Sequence, residues 1–150
     1  MADLIVLTGP PGAGKSTVAP LVAAAFEAAA LVSGDDSAFW TRGRVDPWLP
    51  AAHEQNEVVV RAAAAACGIF VRGGCTTVYD GFVGPGFLPS FLAATGLPEL
   101  HHAALVPPQA ACLDRVSGRT GHGFTDRTAT AHVRRVHRSA GGSTARHLHC

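Results

Sequence analysis

Lysine is nearly absent from this sequence of 150 residues, in which Lys15 is the single lysine and the other 11 of the 12 basic residues are arginines. Charge of either sign is also scarce, because charged residues make up 15% of the chain and the formal net charge is +1. Such a balance offers no electrostatic attraction for nucleic acid or for an anionic membrane. We therefore expect small molecules as partners. The presence of a single lysine at position 15 therefore needs a chemical explanation.

Long apolar runs are also missing, and none approaches the length that crosses a membrane. The start, Met1-Ala2-Asp3, lacks the basic residues and longer apolar stretch of a secretion signal, so we expect a cytoplasmic protein without a membrane partner. Paired cysteines are missing too, since no Cys-x-x-Cys spacing occurs, and neither a zinc site nor a disulfide framework is indicated. The thiols are interpreted as buried or incidental; they are Cys67, Cys75, Cys112 and Cys150.

What is present is an alternation of short apolar segments and longer segments of helical composition. The segments predicted as strands are 4–8, 31–33, 76–79 and 103–106, with a candidate fifth at 146–150. The segments predicted as helices are 15–30, 53–71, 90–94, 107–117 and 128–138. Strands that alternate with helices favour an α/β sandwich with a mostly parallel sheet, and the length suits one domain over residues 1–150.

The first strand and first helix enclose the motif Gly-x-x-x-x-Gly-Lys-[Ser/Thr], which is a phosphate-binding loop in this strand-loop-helix context. Glycines let backbone N–H groups point at a phosphate, and the helix that begins there adds the positive end of its dipole. Lys15 is expected to bridge phosphate oxygens, a task for one compact charge on a flexible stem rather than an arginine fork. The predicted nucleotide-binding residues here are Gly9, Gly12, Ala13, Gly14, Lys15, Ser16 and Thr17.

Carboxylates follow two of the predicted strands, at the edge of an open α/β sheet where ligands gather. Asp80 ends the third strand and is predicted to hold Mg²⁺ together with the Ser16 hydroxyl; a turn-forming Asp-Gly is the alternative. Asp35 and Asp36 follow the second strand. Either can accept the proton of an acceptor hydroxyl, or can instead cap a helix.

Arginines and glycines alternate in the segment after the fourth strand. Arg115 and Arg119 are four residues apart, and Gly118, Gly121 and Gly123 around them supply flexibility. This composition predicts a short lid over residues 118–127. An arginine on a closing loop can stabilise a phosphate in transfer, and Arg119 is the first candidate, with Arg115 and Arg127 as further nucleotide contacts.

These motifs, in this order, resemble the P-loop small-molecule kinases of the shikimate kinase, gluconate kinase and chloramphenicol phosphotransferase group. The resemblance rests on residues 9–17, on Gly34-Asp35-Asp36-Ser37, on Val78-Tyr79-Asp80-Gly81 and on the segment 115–127. It implies a P-loop NTPase three-layer α/β sandwich with a five-stranded parallel sheet in the order 2-3-1-4-5 and an Arg-bearing lid. Relatives continue past the last strand into an adenine-contacting loop and a helix, whereas this sequence ends at Cys150.

The resemblance implies a kinase that uses ATP or GTP with Mg²⁺ and phosphorylates a hydroxyl of a metabolite or an antibiotic. An acidic residue after the second strand acts as the base in this group. A Gly-Asp alignment points to Asp35, and an Asp-Ser alignment points to Asp36. Two alternatives stay open at this stage: a nucleotide-binding switch without a small-molecule acceptor, and a toxin-like kinase of a sugar nucleotide.

Overall fold

The computed structural model describes residues 1–34, 43, 45–47 and 49–117. Within this part of the chain, strands and helices alternate, and a 3₁₀ turn over Pro50–Ala52 leads into the longest helix. The strands are β1 (Leu4–Thr8), β2 (Ala29–Ser33), β3 (Thr76–Asp80) and β4 (His101–Ala104). The helices are α1 (Lys15–Ala23), α2 (His53–Arg72), α3 (Leu88–Thr95) and α4 (Gln109–Ser117).

The sheet is parallel throughout, with its strands in the order β2-β3-β1-β4. The expectation of five strands in the order 2-3-1-4-5 is not met, because the described sheet has four strands and ends at β4. The predicted fifth strand, residues 146–150, lies outside the described residues. So do the predicted lid and the predicted helix over 128–138.

Helices cover both faces of the sheet, because alternate residues of its central strands carry apolar side chains to opposite sides. On one face, Leu7 and Val78 pack with Ala19 of α1. On the other face, Val6 and Tyr79 belong to the larger buried cluster. The α2 and α3 members of that cluster are Val60, Ala63, Ala64, Cys67 and Phe91. This arrangement gives the three layers of an α/β sandwich.

Several predicted boundaries are wrong. The first helix ends at Ala23 rather than near residue 30, and β2 begins at Ala29. Residues 24–28 have helical composition, but they form the turn that leads from α1 into β2, and the Thr76 N–H donates to the Ala28 carbonyl at 3.0 Å. The fourth strand begins at His101, two residues before the apolar run that predicted it.

The thiols at Cys67 and Cys112 are buried, as the sequence indicated, and Cys75 is half-buried; all three are free cysteines. Burial raises the pKa of the Cys67 thiol to about 12. Cys150 lies outside the described residues. Among the helices that the structure describes, none combines the length and apolar character needed to cross a membrane.

Candidate functional site

The loop between β1 and α1 occupies the carboxyl edge of the sheet. It turns tightly, because the Ala13 N–H donates to the Pro10 carbonyl at 3.1 Å. Gly14 precedes α1 in the left-handed conformation, with φ 95° and ψ 14°, and no side chain caps the helix. The first intrahelical bonds to Gly14 come from the N–H groups of Thr17 and Val18. The N–H groups of Lys15 and Ser16 precede the first intrahelical hydrogen bond, and such groups at a helix N-terminus can bind an anion.

Lys15, the single lysine, lies half-buried at the start of α1 and folds back over this loop. Its ammonium donates to the carbonyl oxygens of Gly9 at 3.0 Å and Pro10 at 3.2 Å. These contacts hold a positive charge beside the N–H groups of the loop. Ser16 and Thr17 follow in the same helical turn, and both are exposed. Their hydroxyl groups are thus accessible to a ligand at the end of the helix.

Helix α4 packs on the outside of the loop. The Arg115 guanidinium donates to the Gly12 carbonyl at 3.1 Å, which brings one sequence-predicted arginine to the phosphate loop. The sequence did not indicate that Cys112 lies beside this loop. A Cβ added at Gly12 would be only 2.5 Å from the Cys112 carbonyl oxygen. Burial raises the pKa of the Cys112 thiol, while the charges of Arg115 and Lys15 oppose that rise. The buried thiol and the two cations thus share one neighbourhood.

Asp80 is the last residue of β3 and lies between the ends of two neighbouring strands. It is paired with Leu7 of β1 on one side and with Ser33 of β2 on the other. Its carbonyl accepts a hydrogen bond from the Gly34 N–H at 2.8 Å. Asp80 shares the strand face of Val78, which packs against α1, so its half-buried carboxylate belongs to the side of the sheet from which the phosphate-loop helix departs.

The other side of the same edge is built from the segments around α2 and after β3. The amide of Gln55 pairs with the Val45 backbone twice, accepting from its N–H at 2.8 Å and donating to its carbonyl at 2.9 Å. The Asn56 amide donates to the Pro47 carbonyl at 2.8 Å. Together these bonds attach residues 45–47 to the first turn of α2. The sequence alone did not predict these hydrogen bonds. The one signal it offered was the polar run at residues 53–56.

Two further contacts position the segment that follows β3. The Thr8 hydroxyl accepts a hydrogen bond from the Val83 N–H at 3.1 Å, within the buried core. Phe87 stacks on the imidazole of His53, with ring centroids 5.3 Å apart and planes inclined by 29°. The end of β1 and the start of α2 therefore hold this segment from two directions.

The structure brings nine of the sequence-predicted residues to one edge of the sheet. They are Gly9, Gly12, Ala13, Gly14, Lys15, Ser16, Thr17, Asp80 and Arg115. The remaining four, Asp35, Asp36, Arg119 and Arg127, lie outside the described residues. Their predicted roles stay predictions.

Comparison with known proteins identifies the architecture. No protein-family model matches the sequence. An unliganded sugar kinase from a Janibacter species is similar in structure, with a TM-score of 0.69 and 20% identity over 91% of this chain and 78% of that kinase. The tunicamycin resistance protein of Deinococcus radiodurans is also similar, with a TM-score of 0.69 and 17% identity. The match covers 99% of this chain and 86% of that protein.

A third similar structure is the shikimate kinase of Acinetobacter baumannii in complex with shikimate, with a TM-score of 0.58 and 17% identity over 100% of this chain and 84% of the kinase. The fold is that of the P-loop small-molecule kinases. At these sequence identities the similarity establishes the kinase fold alone. The chemistry has to be argued from the site itself.

The close packing of α4 on the loop predicts that Gly12→Ala destabilises the protein. Gly12 has φ +76°, where an L-residue costs about 1–2 kcal/mol, and contact of the new Cβ with the Cys112 carbonyl oxygen adds to that cost. The free energy of unfolding in urea measures the loss. Gly74→Ala is the matched control, because Gly74 has φ +90° but no atom within 4 Å of an added Cβ. Equal losses in both variants would show that α4 does not constrain the loop.

Proposed function

We propose that this protein is a nucleoside-triphosphate-dependent kinase, which transfers the γ-phosphate of ATP or GTP to a hydroxyl group of a small molecule. The observation that carries the proposal is the position of the Lys15 ammonium. It is held 3.0 Å from the Gly9 carbonyl, at the N-terminus of α1 and on the same sheet edge as Asp80. A cation, open N–H groups and a carboxylate at one edge are the groups that phosphoryl transfer uses.

The residues of the loop fit a nucleoside triphosphate. The N–H groups before α1 can donate to phosphate oxygens, and Lys15 can exchange its carbonyl contacts for the more strongly charged phosphates. Arg115 is already fastened to the loop at Gly12 and adds a second cation beside it. We propose that Arg127 makes a further nucleotide contact.

The donor set also fits Mg²⁺, a hard cation that prefers oxygen ligands. We propose that the exposed Ser16 hydroxyl and the Asp80 carboxylate hold it. Among the described residues, no group of three or more His, Cys, Asp or Glu side chains is placed to bind a metal unaided. The remaining ligands would be nucleotide oxygens and water. When bound, the cation would neutralise phosphate charge during transfer.

The acceptor hydroxyl needs a base, and we propose Asp35 or Asp36, which directly follow Gly34 at the end of β2. A base there would take the proton as the oxygen attacks the γ-phosphorus, and the nucleoside diphosphate would leave on the opposite side. We propose that Arg119 stabilises the charge that develops on the phosphate. Asp35 is the favoured base, with Asp36 as the helix cap.

The acceptor class is a hydroxylated small molecule, either a metabolite or an antibiotic. The similar structures support this class, because they include a sugar kinase, a shikimate kinase and a tunicamycin resistance protein. We propose that residues 45–47, which are attached to α2 through Gln55 and Asn56, form one wall of the acceptor site.

Lys15→Ala is expected to abolish phosphoryl transfer and to leave the fold intact, because the side chain contacts loop carbonyls rather than the core. Nucleoside diphosphate production and melting temperature are the measurements. Arg61→Ala is the control, since it removes one positive charge from an exposed position of α2. Turnover near the unmodified level in the Lys15 variant would contradict the proposal.

Asp80→Asn is expected to weaken the Mg²⁺ dependence of activity more than metal-free nucleotide binding, because the lost charge serves the cation. A Mg²⁺ titration of turnover, compared with nucleotide affinity in EDTA, measures both effects. Asp114→Asn on the exposed surface of α4 is the matched control. If the Mg²⁺ titration of the Asp80 variant is unchanged, Asp80 is a turn residue.

Asp35→Asn is expected to lower kcat by roughly 10²-fold or more with little change in nucleotide affinity, as loss of a general base does. Asp36→Ala is expected instead to destabilise the protein by about 1 kcal/mol, as loss of a helix cap does. Turnover, nucleotide affinity and melting temperature are measured on both variants. Exchanged behaviour would assign the base to Asp36, and two fully active variants would favour a nucleotide-binding switch over a kinase.

A further inference from the structure

Thr8 is the last residue of β1 and directly precedes the phosphate loop. Its side chain is 6% exposed, so its hydroxyl needs hydrogen-bond partners within the protein. Both partners belong to Val83, which is also buried: the hydroxyl accepts from the Val83 N–H at 3.1 Å and donates to the Val83 carbonyl at 3.5 Å. One side chain therefore satisfies both backbone groups of a residue 75 positions later in the sequence.

The chain that follows Asp80 is confined from two further directions. The Gly81 N–H donates to the Leu7 carbonyl at 3.3 Å, which holds the chain across the end of β1. On the other face of the strand, the Tyr79 hydroxyl lies against Gly81, where an added Cβ would be 2.5 Å from the hydroxyl oxygen. Asp80 therefore leads directly into a segment whose path is set by its contacts with β1.

The backbone of Thr8 is fixed relative to the phosphate loop. Its carbonyl accepts a hydrogen bond from the Leu105 N–H at 2.8 Å. The next residue, Gly9, accepts from the Lys15 ammonium at 3.0 Å. The Thr8 hydroxyl thus links the start of the loop directly to the segment that begins at Asp80.

We propose that Thr8 is a positioning residue, which holds Asp80 in place relative to the phosphate loop through its two hydrogen bonds with Val83. The other residues of β1 are apolar, and valine would fill the same space as Thr8 but would leave the buried Val83 N–H without its partner. The inference rests on the proposed kinase function, in which Asp80 serves Mg²⁺ and the loop serves the nucleotide. Because Mg²⁺ demands near-ideal ligand geometry, a small displacement of Asp80 would weaken its binding.

Mg²⁺-dependent nucleotide binding tests this role without requiring turnover. The affinity of the full-length protein for a non-hydrolysable ATP analogue is measured by calorimetry in Mg²⁺ and in EDTA, and the ratio of the two affinities is the Mg²⁺ enhancement. Thr8→Val is expected to lower this enhancement about 10-fold or more, as loss of a group behind a metal ligand does, with the affinity in EDTA little changed. Thr8→Ser keeps the hydroxyl and is expected to retain the enhancement.

Thr77→Val is the matched control. It removes another buried threonine hydroxyl of a central strand, which donates to the Cys75 carbonyl at 3.1 Å at the amino end of β3. Both valine variants are expected to lower the melting temperature, but only Thr8→Val should lower the Mg²⁺ enhancement. A lower melting temperature with an unchanged enhancement in Thr8→Val would make its hydroxyl purely structural and overturn the proposal.

A double-mutant cycle with Asp80→Asn shows whether Thr8 acts through Asp80. If it does, Thr8→Val lowers the enhancement in the unmodified protein and has little further effect in the Asp80→Asn background. Additive losses would mean that Thr8 acts by another route, and the proposal would be rejected. If Thr8→Val does not fold, Thr8→Cys takes its place, because a thiol is a weaker hydrogen-bonding group. It should give an intermediate enhancement, and full enhancement would count against the role.

Turnover decides the proposed function separately, with D-glucose, D-gluconate, shikimate and uridine as acceptors. If none is phosphorylated but Thr8→Val lowers the Mg²⁺ enhancement, the kinase function loses support and the positioning role stands. If a compound is phosphorylated and the enhancement does not depend on Thr8, the kinase function stands and the positioning role is wrong. The role of Thr8 is also rejected if Mg²⁺ does not enhance nucleotide affinity in the unmodified protein.

Discussion

The close backbone contact between residues 9–14 and the segment around α4 is the constraint on which the rest of the site depends. The Leu105 N–H donates to the Thr8 carbonyl at 2.8 Å, and the Cys112 carbonyl lies directly beside Gly12. No side chain fits between these stretches of backbone. The loop therefore keeps the shape that places its N–H groups beside the Lys15 ammonium. The same contacts attach β1, the first described element, to α4, the last.

The end of β3 divides the site into two halves, because neighbouring residues of a strand face opposite sides of the sheet. Asp80 belongs to the face of α1 and the phosphate loop, whereas Tyr79 belongs to the face of α2 and α3. These two adjacent residues therefore face different layers of the sandwich.

Sequence reasoning predicted those parts whose signal is local. The strand, loop and helix around Lys15 follow from a continuous motif, and β3 and α2 follow from local composition and the glycines that come after them. The end of α1 was wrong because the chain must turn over residues 24–28 to enter β2 at Ala29, and this requirement overrides their helix propensity. The contacts of Cys112 and of the Tyr79 hydroxyl could not be predicted, since both depend on glycines that become neighbours only in the folded chain.

The attachment of residues 45–47 by Gln55 and Asn56 uses backbone groups of that segment alone. Any residue other than proline at position 45 can present the same N–H and carbonyl to Gln55. The side chain at position 45 can consequently change while the path of the segment along α2 is kept. Such an arrangement makes this part of the surface evolvable: a lineage can change the chemistry presented at position 45 by substitution, without passing through forms in which the segment has detached from α2.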